Sequence, residues 1–338
     1  MKMLHIAGGF APEGRMLNQL MLDELERLGE LTIVTRGDRM SMDERAALIR
    51  GCDVLLTGWG AAMTPDIIAN DRGSLKYICN ITGTVRHCIG PAVVAAGIPV
   101  TNWGDTIAPG VAEGAVALLF AVMKNIRPLC RLVEAGLWGT NRLPMTSLNK
   151  LRVGIYGLGV IGRQFVEYIE PFKPIIKGYD PYVGDAAWPR GVERAGSLDA
   201  LFTGIDALVL HAGLSDETRG TVTAELLAKL PDNGIVINTA RGGIIDQAAL
   251  MAELAKGRLR AGLDVLDSPE AGDMLLLNDP ARNYPNLVLS CHNIYGSEWP
   301  RRIELTNWQE AALDNLRRFK NGEPLIYLMD SLRYERST

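Results

Sequence analysis

The chain lacks what would place it in several large classes of protein. Its five cysteines (Cys52, Cys79, Cys88, Cys130, Cys291) are scattered and form no CxxC pair. That pattern fits neither a disulfide frame nor a zinc site and reads as reduced thiols of a cytoplasmic protein, so no bound metal is expected. The net charge of −4 gives no field that would gather nucleic acid or anionic lipid. The longest apolar run, residues 115–123, is about half of what a membrane span needs. No leader precedes the strand-like residues 3–7, so no signal peptide is expected. No repeat or low-complexity tract occurs.

What is present is an ordinary soluble composition, 47% hydrophobic and 22% charged over 338 residues, enough for two domains with separate cores. The stretch that organises the rest is residues 151–180. An apolar run (Val153, Ile155, Tyr156) enters Gly157-Leu158-Gly159-Val160-Ile161-Gly162, a helical pattern follows, and a second apolar run ends on Asp180. This is the layout of a dinucleotide-binding β-α-β unit. Gly157 allows the tight turn, Gly159 lets the backbone approach a pyrophosphate, and Gly162 lets the helix pack close to the strand. The N–H groups of the helix start, from Val160 and Ile161, supply positive potential for the phosphates. Asp180 stands where a carboxylate accepts both ribose hydroxyls and repels a 2′-phosphate. The residues after it, Pro181-Tyr182-Val183-Gly184, carry no positive charge, so NAD is expected over NADP.

Strand and helix patterns alternate along the whole chain. Before residue 103, strand-like runs fall at 3–7, 31–35, 53–57 and 76–79. Helical segments fall at 16–28, at 43–50 behind a Ser41/Glu44 capping box, from Thr64-Pro65-Asp66, and near 91–96. An apolar helix within 102–125, hydrophobic nearly all round, is expected to be buried between domains or subunits. Beyond Asp180, strands at 206–210, 234–238, 260–263 and 286–290 deliver His211, Thr239-Ala240-Arg241, Asp264 and Cys291-His292. A helix at 246–256 stops at Gly257, and a final helix runs from about 300 to 319. Such alternation builds parallel, doubly wound sheets, with ligands beyond the carboxyl ends of the strands.

His211, Arg241, Asp264 and His292 therefore converge beside a nicotinamide site. Carbonyl reduction needs a proton as well as a hydride, and a histidine suits the proton. An arginine grips a carboxylate bidentately. The set implies a substrate with a carboxylate next to a carbonyl or hydroxyl.

With these residues in place, the chain resembles the D-2-hydroxyacid dehydrogenase family, which includes phosphoglycerate-, lactate- and glyoxylate-type enzymes. The resemblance runs over nearly the whole chain and rests on GLGVIG…YDP, Leu210-His211 with Glu217-Thr218, Asn238-Thr239-Ala240-Arg241-Gly242, Gly262-Leu263-Asp264-Val265, and His292. It implies that Arg241 orients the substrate and polarises its carbonyl, and that His292 donates the proton in reduction. It also implies that Asp264 helps hold the nicotinamide carboxamide and that a glutamate pairs with the histidine. His211, Thr218, Thr239 and Ala240 fall on the cofactor side, His211 as a structural contact. In the first domain, the resemblance implies that Gly83, Thr84 and Val85 take the place of the substrate loop, with the N–H groups of Thr84 and Val85 holding the carboxylate and Arg86 or His87 adding charge; the other reading is a plain strand-to-helix turn. Trp59 either walls the pocket or packs at an interface. His5 reads as a core residue.

The sequence departs from the family in places. Five residues past Asp264 stands Pro269, and the glutamate is Glu270, one later, read as a one-residue insertion with Glu270 as the relay. Cys291 replaces the usual proline before the histidine, and Gly213 the proline two past His211. A Cys291–His292 nucleophilic pair is disfavoured because neighbours on a strand face opposite ways.

The expected fold is a Rossmann NAD-binding domain (104–299) inserted into a flavodoxin-like substrate domain (1–103 and 300–338), with a hinge between them. The expected activity is transfer of a hydride between NAD(H) and a 2-oxo acid/D-2-hydroxy acid pair. The resemblance also implies a homodimer. The alternative is a non-catalytic NAD(H)-sensing, co-repressor-like protein on the same fold, kept open by the displaced Glu270.

Overall fold

The computed structural model describes residues 1–8, 16–139, 143, 145–267, 279–296 and 304–336. The chain divides into two compact units, one made of Met1–Ile107 with Ser297–Thr338, the other of Ala108–Gly296.

In the first unit, aliphatic runs form β1 (Lys2–Ile6), β2 (Glu30–Val34), β3 (Val54–Thr57), β4 (Tyr77–Asn80) and β5 (Val100–Thr101). They pair in parallel in the order β2-β1-β3-β4-β5, the flavodoxin-like order. β3 and β4 are buried along their full length, as parallel strands covered on both faces require. Helix Met42–Arg50 starts behind the full Ser41/Glu44 capping box. Pro65 opens only a single 3-10 turn, Asp66–Ala69, and stands outside it as the cap. The late helix runs Asn307–Asn321, packs on helix Gln19–Leu28 and β4, and ends at Gly322 in the left-handed conformation. A further short helix, Ser331–Arg336, follows it.

The second unit contains β6 (Arg152–Tyr156), β7 (Ile175–Tyr179), β8 (Val192–Arg194), β9 (Ala207–Leu210), β10 (Ile235–Asn238), β11 (Arg260–Leu263) and β12 (Leu287–Leu289). Their order, β12-β11-β10-β9-β6-β7-β8, is all parallel. Read from β8, this is the dinucleotide-binding order extended by one strand, with the reversal of winding at β6. Both sheets are thus the doubly wound parallel type that the alternation implies. Helix Ala108–Met123 lies on the sheet of its own unit, against β10, β11, β12 and helix Val160–Ile169. Gly262 makes room for it, since a Cβ there would stand 3.0 Å from Leu118. The short helices Leu198–Phe202 and Ala224–Ala228 join Gln247–Ala255 on the other core.

Register fixes where the chemistry falls. Tyr179, Tyr156, Leu210, Asn238, Leu263 and Leu289 are successive partners across six adjacent strands. One residue further along each strand gives Asp180, Gly157, His211, Thr239, Asp264 and Ser290. The sheet lines them up along one edge.

Candidate active site

The glycine turn is built as its spacing implies. Gly157 has φ +94°, and a Cβ on it would meet the Ala212 nitrogen at 2.4 Å. A Cβ on Gly162 would lie 2.1 Å from the Gly157 carbonyl oxygen, so only glycine lets this helix start so close to the strand. Gly159 differs, for a Cβ there would meet nothing within 4 Å. The space over it is open, and no side chain caps the helix at Val160 and Ile161. Both features fit a phosphate held by backbone N–H groups.

Asp180 closes this corner. Its Oδ2 accepts the Leu158 N–H at 2.8 Å and its Oδ1 the Tyr182 N–H at 2.9 Å. A carboxylate offers about four acceptor positions, so it can still receive ribose hydroxyls. On the other side of β6, Thr218 shapes the loop after β9: its Oγ1 accepts from Ser215 N–H at 2.8 Å and donates to the Gly213 carbonyl at 2.7 Å.

His211 lies beneath the glycine turn, its ring centroid 5.1 Å from that of Phe165. Both ring nitrogens are shut off from water and have no hydrogen-bond partner among the described residues. Burial pushes its pKa down to about 3, so the ring is neutral at physiological pH. The Thr239 hydroxyl beside it is likewise buried without a partner among the described residues.

Arg241 follows β10, half-buried, with its Nη1 donating to the Ala240 carbonyl at 2.7 Å. Its turn is stapled by Asn238, whose Oδ1 accepts from Ala240 N–H at 2.9 Å and whose Nδ2 donates to the Arg241 carbonyl at 2.9 Å. The motif containing Asn238 was readable, but its stapling role was not.

Asp264 anchors the histidine loop. Its Oδ1 accepts from Ser290 Oγ at 2.7 Å and from Asn293 N–H at 3.2 Å, and its carbonyl accepts the His292 N–H at 3.0 Å. Sequence reasoning missed Ser290; the signal available was its place one residue past β12. His292 is exposed and has left-handed backbone, φ +52°. It stands past the end of β12 at Leu289, so strand alternation does not describe the relation of Cys291 to His292. The loop is seated on helix Ala108–Met123 through two glycines: a Cβ on Gly110 would lie 2.7 Å from the Tyr295 carbonyl oxygen, and one on Gly114 2.5 Å from Ile294. Glu270 lies outside the described residues.

The candidate substrate loop belongs to the first unit. Gly83 abuts Trp103, whose ring a Cβ would meet at 2.2 Å. Thr84 is half-buried and Val85 fully buried. Asn80 holds the turn, donating to the carbonyls of Thr82 at 2.6 Å and Thr84 at 3.3 Å. Arg86 donates to the Tyr334 carbonyl at 3.0 Å and lies over the Tyr334 ring, and His87 is 2.9 Å from the Gly58 carbonyl. Trp59 is half-buried in an aromatic cluster, edge-on to Trp103 at 5.7 Å and to Trp308 at 5.5 Å. His5 is buried, with Nδ1 3.0 Å from the Leu56 carbonyl.

Among the described residues no cluster of His, Cys, Asp or Glu could hold a metal ion, and no helix is long and apolar enough to cross a membrane.

Residues 116–293 match the family model described as D-isomer specific 2-hydroxyacid dehydrogenase, NAD binding domain. The chain is similar to the D-3-phosphoglycerate dehydrogenase of Methanocaldococcus jannaschii, 33% identical over 75% of this chain, a stretch that spans only 48% of that enzyme. It is also similar to the hydroxypyruvate reductase of Thermotoga maritima, 31% identical over 76% of this chain and 81% of the relative. Among solved structures, a 2-hydroxyacid dehydrogenase from Ketogulonicigenium vulgare Y25 superposes with a TM-score of 0.78, covering 97% of this chain and 98% of its own at 24% identity, which speaks to the fold alone.

Proposed function

Since this chain belongs to the D-isomer specific 2-hydroxyacid dehydrogenase family, we propose that it interconverts a 2-oxo acid and a D-2-hydroxy acid with NAD(H). One observation carries the reading: a single register row across the second sheet brings the glycine turn, Asp180, Asp264 and the loop bearing His292 to one edge, with Arg241 two residues past Thr239.

Bound NADH supplies the hydride. Val160 and Ile161, at the uncapped helix start, and the open backbone at Gly159 hold the pyrophosphate, while Asp180 takes the ribose hydroxyls and disfavours a 2′-phosphate. Ala240, Thr239 and Asp264 line the nicotinamide side. His211, neutral and packed on Phe165, supports the turn from below, and Thr218 shapes the loop opposite. Arg241 pairs with the substrate carboxylate and polarises the carbonyl. In reduction, His292 gives its proton to the carbonyl oxygen as the hydride reaches the carbon; in oxidation it takes the proton back. Glu270 is assigned to pair with His292 and hold it protonated.

Residues 1–103 and 300–338 are assigned as the substrate domain, where the N–H groups of Thr84 and Val85, on the turn set by Gly83, meet the substrate carboxylate and Trp59 borders its side chain. Residues 104–299 are assigned to the cofactor. We place the enzyme in the cytoplasm as a homodimer acting on a small-molecule acid, with neither nucleic acid nor membrane as partner.

The test is oxidation of NADH, and separately of NADPH, across a panel of 2-oxo acids. Turnover with NADH should fall by at least about a hundred-fold in His292→Ala, the usual scale of general acid catalysis. Tight NADH binding with no turnover on any acid would instead support a sensor.

A further inference from the structure

The loops on either side of β6 are joined over its end. β7 and β9 are the two neighbours of β6, and the glycine turn that leaves β6 lies between the loops that follow them. Tyr182, in the loop after β7, donates its hydroxyl to the carboxylate of Glu217, in the loop after β9. Tyr182 is more than half exposed (56%), so burial does not force this contact. Its backbone N–H is bonded to Asp180 Oδ1 at 2.9 Å. One residue therefore ties the ribose-site carboxylate to a second carboxylate across the turn.

We infer that Glu217, held in place by Tyr182, is a second discriminator against the 2′-phosphate of NADP, acting with Asp180. This rests on the dehydrogenase reading of the site. Tyr182 is the positioning residue, and Glu217 supplies the charge. A 2′-phosphate carries nearly two negative charges. Placed at the ribose it meets Asp180 directly and Glu217 at longer range, and a unit charge about 7 Å away in a wet site shifts the affinity of such a group by roughly five- to ten-fold. An adenosine ribose without the phosphate carries no charge there and meets no such penalty.

Two observations support the placement. Burial raises the pKa of Tyr156 at the end of β6, and the carboxylates of Asp180 and Glu217 both raise it further, so the two charges act on the same point beneath the turn. Arg194, the cation that could neutralise a 2′-phosphate here, is committed elsewhere. Its guanidinium lies 3.8 Å over the Trp188 ring, donates to the Val183 carbonyl at 3.2 Å and pairs with Asp185 at 3.1 Å.

The test measures equilibrium binding of NADH and NADPH to the full chain by fluorescence titration, for wild type, Glu217→Gln, Tyr182→Phe and Arg194→Gln, at low and at physiological salt. Wild type should prefer NADH. Glu217→Gln should lower the NADH-over-NADPH ratio by about five- to ten-fold through tighter NADPH binding, and most strongly at low salt, where long-range charge is least screened. Tyr182→Phe should lower it less, in the same direction. The salt dependence distinguishes a charge effect from a packing effect.

A ratio unchanged in Glu217→Gln overturns the inference, and with NADH turnover intact it leaves the dehydrogenase reading standing. A ratio that falls in Glu217→Gln but not in Tyr182→Phe removes the positioning role of the tyrosine. Preference for NADPH in wild type, lost in Arg194→Gln, would assign the discrimination to the arginine with the opposite sign. Wild type that binds neither nucleotide would overturn both readings together.

Discussion

Of the side chains along the strand ends, His211 has the environment most at odds with its own chemistry. Its ring is polar, yet among the described residues nothing bonds to either nitrogen, and burial holds its pKa at about 3 against the ordinary 6.5 of a histidine. As pH falls through 6.5 the unfolded chain takes up a proton that the folded chain refuses. The contribution to stability is therefore full above about pH 6.5 and drains as pH falls towards 3, by at most about 1.4 kcal/mol per pH unit. His211→Met keeps the volume without the titration. Urea unfolding of wild type should show a loss of up to about 2 kcal/mol between pH 7.5 and 5 beyond that of the variant. Parallel losses in the two proteins would show that the ring does not titrate as described. At this scale the sequence was informative wherever a residue type has one geometric use. Gly157 and Gly162 were assigned from spacing alone, and their backbones and contacts are those that spacing demands. Hydrogen-bond partners were not legible: that Asp264 holds Ser290 and Asn293, or that Arg86 is engaged by Tyr334, depends on segments far apart in the chain.

Elements were legible in proportion to their length and to the strength of their stop signals. The helix ending before Gly257 and the strands with continuous aliphatic runs are where pattern put them. Leu198–Phe202, Ala224–Ala228 and β8 were not, since three to five residues are too few to show a period. Arg260 shows how a position read only as a strand start can bind several elements together. Its side chain is buried, with no carboxylate partner among the described residues. It donates to the Asn233 carbonyl at 3.1 and 3.0 Å, to the Val122 carbonyl at 3.4 Å near the end of helix Ala108–Met123, and to Thr146 Oγ1 at 3.1 Å. Burial lowers its pKa, but hydrogen bonds to carbonyl dipoles hold the charge. Arg260→Met fills similar space while leaving those carbonyls unbonded, so a loss of about 2–4 kcal/mol is expected. Thermal and urea unfolding would measure it. A variant within about 0.5 kcal/mol of wild type would mean that water replaces the guanidinium there.

For the whole molecule, a segment that sequence pattern passed over offers a test of the proposed homodimer. Helix Ile126–Glu134 has no buried residue. Its cations turn inward: Arg127 donates to the carbonyls of Leu287 and Arg282, and Arg131 to that of Asn283 at 3.1 Å. Leu129 and Leu132 are half-buried, but Ile126 is 47% and Val133 53% exposed, followed by Leu137 at 49% and Trp138 at 87%. This reverses the usual arrangement of a surface helix, where charge faces water and the apolar stripe faces the core. Large apolar side chains exposed together on a protein surface are the usual material of an association site. A second copy of the same chain would cover these side chains by twofold symmetry, which is the homodimer proposed above. Sedimentation equilibrium should give twice the 36.8 kDa chain mass. The double variant Val133→Glu/Trp138→Glu should sediment as a monomer, because each introduced carboxylate would be buried unpaired in the dimer. A wild-type monomer at micromolar concentration, or a double variant that remains dimeric, would remove this face from the interface.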